Sequence, residues 1–160
     1  MKTFFNLFKT LIFSLVVTCF WGLVSLYVKN LDVISGVYLP LRLRVPGIIL
    51  MIAGGSLASV CALSFAIFGK GTPFPPDAPK EFVSTGPYKY VRNPMYIGGF
   101  MLFEGFAFVN LSVSMIIFGF LWLLIVHLFT IFYEEKTLEK QFGKSYLDYK
   151  KKVHRWLPTI

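Results

Sequence analysis

The chain has 160 residues, of which 56% are hydrophobic and 18% aromatic, with mean hydropathy +0.66 and a formal net charge of +8. This is one domain's length and too apolar for a water-soluble globule, in which about half the residues are apolar. No nucleic-acid-binding module or basic motif accompanies the positive charge, so it reflects membrane topology and attraction to anionic headgroups, with no nucleic-acid partner. The expected class is an all-α polytopic membrane helical bundle, one integral domain over residues 1–160 with about four transmembrane helices and a C-terminal amphipathic helix.

Residues 10–28 form an uncharged apolar run, long enough to cross a hydrocarbon core that takes about 20 helical residues. Lys2 and Lys9 ahead of it imitate a signal peptide. The run exceeds an h-region and lacks a small-x-small cleavage site, so an uncleaved anchor is expected. A second apolar run covers residues 46–68, where Gly54, Ala58, Ala62 and Ala66 recur every fourth position. Such a stripe admits another helix at close range, here expected within the molecule, from the first or fourth span. Cys19 and Cys61 lie inside these runs as small hydrophobes, with neither disulfide nor metal-ligand spacing.

Residues 69–94 form the next polar stretch. Its first part, residues 69–80, holds four prolines and reads as a stiff, extended connector, either a spacer or a rim over a cytoplasm-facing pocket. The junction that follows, Gly86-Pro87-Tyr88-Lys89-Tyr90-Val91-Arg92-Asn93-Pro94-Met95-Tyr96, fixes φ twice with proline and interleaves aromatic rings with cations. A loop that only re-entered the bilayer would need none of this.

Residues 95–109 are a short apolar stretch carrying Glu104, and residues 111–133 a longer one whose only titratable group short of Tyr133 is His127. An intramembrane carboxylate is a functional candidate by default. Glu104 and His127 are therefore the candidates for binding a polar acceptor or shuttling its proton, with protonation or a hydrogen bond to a neighbouring helix as the simpler account of Glu104 and a satisfied core histidine as that of His127. If all four stretches span, every Lys and Arg except Lys29, Arg42 and Arg44 lies on one side, which makes that side cytoplasmic and places both termini there.

From residue 134 to 156 the apolar positions Leu138, Phe142, Tyr146, Tyr149, Val153 and Trp156 recur at steps of three and four among lysines. This is an amphipathic helix, expected to lie in the headgroup plane or to fold back over the junction. Gly143 in its interior points to a break or a close contact. Glu134 and Glu135 stand where the fourth span ends. Facing residues 88–96, they would give a pocket with carboxylates on one wall and aromatics and an arginine on the other, suited to a zwitterionic ligand with a ring and a cation.

In these motifs the chain resembles the isoprenylcysteine carboxyl methyltransferases and the related membrane phospholipid methyltransferases. The likeness rests on Gly86-Pro87-Tyr88, on Arg92-Asn93-Pro94-x-Tyr96-x-Gly98, on Glu134-Glu135, and on Phe142-Gly143-x-x-Tyr146-x-x-Tyr149 followed by Val153, Arg155 and Pro158. It implies an S-adenosylmethionine-dependent methyltransferase acting on a lipid-like or small hydrophobic acceptor, with no metal. The cofactor contacts it implies are Lys80, Glu81, Phe82, Val83, Tyr88, Arg92, Asn93, Pro94, Met95, Tyr96, Glu134 and Glu135. Two positions depart from the pattern. Asn93 replaces the family's usual histidine and cannot serve as a base titrating near neutrality. Thr130 stands where prenylcysteine enzymes carry an arginine for the substrate carboxylate, so the acceptor atom stays open among carboxylate, amine and thiol. The alternative reading is a non-catalytic membrane module that binds anionic lipid or a partner through its basic tail.

Overall fold

A computed structural model describes residues 2–37, 39–69 and 80–159, with the side chains of residues 2–4 and 35 left undescribed. Most of the proline-rich connector, residues 70–79, lies outside the described residues. All regular structure among the described residues is helical: α1 (Lys2–Lys29), α2 (Asp32–Ser35), α3 (Arg44–Ile67), α4 (Pro94–Val109), α5 (Val113–Phe129), α6 (Glu135–Phe142) and α7 (Lys144–Lys152). Three helical stretches, Phe5–Ile34, Leu41–Ile67 and Val113–Phe142, are long and apolar enough to cross a membrane. α4 is apolar but has 16 residues, which at about 1.5 Å per residue is roughly 24 Å, short of a hydrocarbon core of about 30 Å.

The small-residue stripe of α3 receives α4, and not the first or fourth span as the sequence suggests. Gly47 and Gly54 on α3 lie against Gly105 and Gly98 on α4, and a Cβ placed on Gly54 would come within 2.5 Å of the Leu102 amide nitrogen and 2.6 Å of the Gly98 carbonyl oxygen. The two glycine pairs share a seven-residue interval, so small faces small along the whole seam. With no hydrophobic force between helices in lipid, such close backbone approach is what holds them. α1 packs on α3 and α5, with Trp21 meeting Phe118 and Trp122. Opposite the junction, Lys29 Nζ donates to Asn110 Oδ1 at 3.3 Å, and the Ser114 amide donates to Asp32 Oδ1 at 2.8 Å. The first turn of α5 thereby gains an acceptor for one of its free amides.

The tail is not one helix over residues 134–156. α5 runs into α6 through a π turn, Thr130–Glu134, and α6 stops at Gly143, where φ is +52° and ψ is −126°. Glycine adopts that backbone readily. A Cβ there would meet nothing within 4 Å, so Gly143 serves as a break and not as a close contact. After α7 the chain becomes an irregular strap that returns to the junction: the Arg92 amide donates to the His154 carbonyl at 2.9 Å and the Thr159 amide to the Tyr90 carbonyl at 2.7 Å. Of the two arrangements expected for the tail, folding back over the junction is the one adopted.

Candidate functional site

Two prolines and one glycine shape the junction. Gly86, at φ +59°, turns the chain into a short 3-10 helix, Gly86–Lys89. Pro94 then starts α4, at a position where its missing amide donor is no loss. Between them Tyr88 is driven inward, 6% exposed, and stacks on Phe65 of α3 at 5.2 Å. Below it Cys61, Val83 and Met95 form a small apolar cluster.

The second wall comes from the π turn. A turn of five residues in place of four rotates everything after it by about 100° relative to an uninterrupted helix, and such turns frequent functional sites. Here it aims Glu134 and Glu135 at the junction. The two carboxylates meet opposite surroundings. Glu135, 4% exposed, accepts from Arg92 Nη1 at 2.9 Å, from Arg155 Nε at 2.7 Å and Nη2 at 3.1 Å, and pairs with Lys150 Nζ at 3.1 Å. Three cations converge on it, and one of them grips it through a two-pronged guanidinium fork. Glu134 accepts from neutral hydroxyls: Tyr96 Oη–H at 3.1 Å, and Thr130 Oγ1–H at 3.5 Å, the outer limit of such a bond. No ion pair is found for Glu134 among the described residues.

Both walls enclose one cavity of about 270 Å³, with Tyr88, Arg92, Asn93 and Tyr96 on one side and Glu134 and Glu135 on the other. Its size is near the lower end for small-ligand sites, about 300–1,000 Å³. Burial, with a smaller contribution from the Glu134 carboxylate, holds the Tyr88 phenol well above its ordinary value. Burial does the same to Tyr149, whose Oη–H donates to the Tyr88 carbonyl at 2.6 Å. Both rings are therefore neutral walls. Arg92 lends one guanidinium nitrogen to Glu135 but keeps its Nε buried without a hydrogen-bond partner.

Of the residues singled out from sequence, Glu81, Phe82, Val83, Tyr88, Arg92, Asn93, Tyr96, Glu134 and Glu135 line this cavity. The other three do not. Lys80 is exposed, with its backbone amide bonded to the Gly69 carbonyl at 2.8 Å. Pro94 is fully buried under the junction, and Met95 belongs to the apolar cluster below Tyr88. Asn93 Nδ2 donates to the Arg155 carbonyl at 3.2 Å, which fixes the strap.

Glu104 and His127 are not brought together. Glu104 is buried against Gly119, where a Cβ would collide with its Oε1, and that oxygen has no hydrogen-bond partner. It lies eight residues beyond Tyr96 along α4, roughly 12 Å at the helical rise. His127 Nδ1 accepts from Trp156 Nε1–H at 2.8 Å. Sequence reasoning missed Phe65, Phe129 and Tyr133 as lining residues, and it left Phe142, Tyr146 and Tyr149 either in the headgroup plane or folded over the junction. These last three surround Phe82 at 5.4, 5.8 and 5.0 Å. The signal available for them was the aromatic content of the tail's apolar face.

A family model described as phospholipid methyltransferase matches residues 43–145, a stretch running from the start of α3 to the first residues of α7. No curated protein and no solved structure matches the chain.

Proposed function

The chain belongs to the phospholipid methyltransferase family, a family of membrane methyltransferases, and from that premise we propose that it moves a methyl group from S-adenosylmethionine, held between the junction and the glutamate pair, to a lipid-like or small hydrophobic acceptor. One observation carries this reading. Within a single aromatic cavity, Glu135 is saturated by cations while Glu134 meets only neutral donors, so Glu134 presents to the cavity a carboxylate with no cationic partner among the described residues. A half-buried carboxylate that meets only neutral donors is stabilised by a cation that completes it.

The residues present fit the donor. The Glu134 carboxylate suits an amino or sulfonium group, the π-faces of Tyr88, Tyr96 and Phe82 suit a cation and a purine, and the buried Arg92 Nε suits a carboxylate. S-adenosylmethionine supplies an electrophilic methyl on sulfonium. The protein's task is then to hold the acceptor in line with that methyl and to keep water out, and positioning of this kind can supply about 7–11 kcal/mol. Tyr88, pinned by Phe65 and Tyr149, and Tyr96, bonded to Glu134, supply rigid walls. The strap is tied to the same walls, by Arg155 to Glu135 and by the Thr159 amide to the Tyr90 carbonyl. Asn93 is occupied with the Arg155 carbonyl, which gives it a positioning role.

The distribution of Lys and Arg supports a cytoplasmic location for both termini and for the cavity, with α4 completing the fourth crossing beside α3. Donor would then arrive from the cytoplasm and acceptor from the bilayer. A freely recruiting basic tail, the alternative, has no use for three cations converging on one buried carboxylate. The test is transfer of radiolabelled methyl from S-adenosylmethionine into lipid extracts by the protein in nanodiscs. Label should enter the organic phase and fall at least tenfold in Tyr88→Ala. Absence of transfer to every extract by folded protein overturns the proposal.

A further inference from the structure

A second cavity, about 410 Å³, lies along the seam of α4 and α5. Ile97 and Phe100 of α4 form one side, and Phe120, Leu123 and Leu124 of α5 the other. Phe100 and Phe120 meet edge to face at 5.3 Å. Phe120, Leu123, Leu124 and His127 are spaced three, one and three apart, the spacing of one helix face, so they form one stripe, which runs seven residues or roughly 10 Å along the helix. At its far end the groove is capped by His127 and Trp156, joined by their 2.8 Å hydrogen bond.

The groove is apolar for most of its length and polar at one end, and the residues of that polar end adjoin, along the chain, residues of the donor site. Tyr96, which binds Glu134, directly precedes Ile97. Thr130, which lies beside Glu134, is one turn beyond His127. Arg155, which grips Glu135, directly precedes Trp156. The occupant such a groove fits has one hydrocarbon chain in the seam and a polar head at the His127–Trp156 end. We propose that this groove holds one acyl chain of the methyl acceptor, with the head delivered beside the Glu134 cavity; the identity of the occupant as acceptor rests on the methyltransferase reading above. Annular lipid also touches the bilayer face of α5, but it has no reason to prefer this stripe over Ile117, Leu121 and Ile125, which are more than half exposed on the same helix. Chain occupancy of the seam predicts that preference.

The experiment uses the full chain in phosphatidylcholine nanodiscs containing an amine-headed phospholipid with a diazirine in one acyl chain, and maps photo-adducts by mass spectrometry. Adducts are expected on Phe100, Leu123 and Leu124 at least fivefold above Ile117, Leu121 and Ile125. Leu124→Trp, which fills the groove, should cut the seam adducts at least fivefold, and Leu121→Trp should not. Even labelling around α5, meaning annular lipid only, overturns the proposal, and the wild-type map alone decides if Leu124→Trp does not fold. Labelling is read without the methyl donor. A chain that fails to bind S-adenosylmethionine but labels in the seam removes the acceptor role and keeps the lipid groove, whereas donor binding with even labelling does the reverse.

Discussion

Replacing Glu135 by Gln removes the one carboxylate on which Arg92, Lys150 and Arg155 converge. The Arg92 side chain is 10% exposed, against 26% for Arg155 and 35% for Lys150, so Arg92 is the cation that water reaches least. Removing one partner of a buried ion pair costs about 3–5 kcal/mol. Gln retains an acceptor, and Arg155 and Lys150 regain water, which places the expected loss at the low end, about 3 kcal/mol. The strap is the element released, because Arg155 holds it to Glu135. Hydrogen exchange reads this directly: the amides of Arg92 and Thr159, bonded across the strap and junction, should lose roughly a hundredfold in protection at about 1.4 kcal/mol per decade. Glu139→Gln is the control. It breaks only the pair with Lys150, in which both side chains are about a third exposed, and should change protection by no more than about twofold. Equal protection in Glu135→Gln and wild type, or equal losses in the two variants, would refute the reasoning.

Gly54→Ala should push α3 and α4 apart and lower thermal stability by about 1–3 kcal/mol, while Gly55→Ala, whose new methyl would sit 3.7 Å from Leu102, should be close to neutral in the same melting assay. Tyr149→Phe removes the 2.6 Å bond to the Tyr88 carbonyl and should cost about 1 kcal/mol in unfolding, with methyl transfer lowered through looser placement of Tyr88. Glu104→Gln should leave methyl transfer within about twofold of wild type, because Glu104 lies roughly 12 Å along α4 from Tyr96; a tenfold loss measured by radiolabel would restore it as a catalytic candidate.

The apolar runs made the helical class legible, because length and hydropathy are local properties. The junction was legible as well: Gly86, Pro87 and Pro94 constrain the backbone by their own covalent chemistry, and little else explains their company with Tyr88 and Arg92. The different fates of Glu134 and Glu135 were hidden. Their surroundings depend on where the π turn aims the pair, and Thr-Ile-Phe-Tyr-Glu has no proline or glycine to announce that turn. The partner of the α3 stripe was visible in hindsight, since Gly98 and Gly105 repeat the interval of Gly47 and Gly54. The choice between the two arrangements open to the tail was hidden for a related reason. Periodicity identifies an apolar face without saying whether lipid or protein covers it, and here much of that face closes on Phe82.

The central claim is that the Glu134 carboxylate, which has no cationic partner among the described residues, receives the cationic donor in the Tyr88 cavity, and calorimetric titration of S-adenosylmethionine into the folded protein in nanodiscs tests it most directly. One saturable site per chain is predicted, weakened at least tenfold in Glu134→Gln, in line with about 1.5–3 kcal/mol for a hydrogen bond to a charged group. Folded protein that takes up no donor, or a Glu134→Gln variant that binds it as tightly as wild type, would contradict the account.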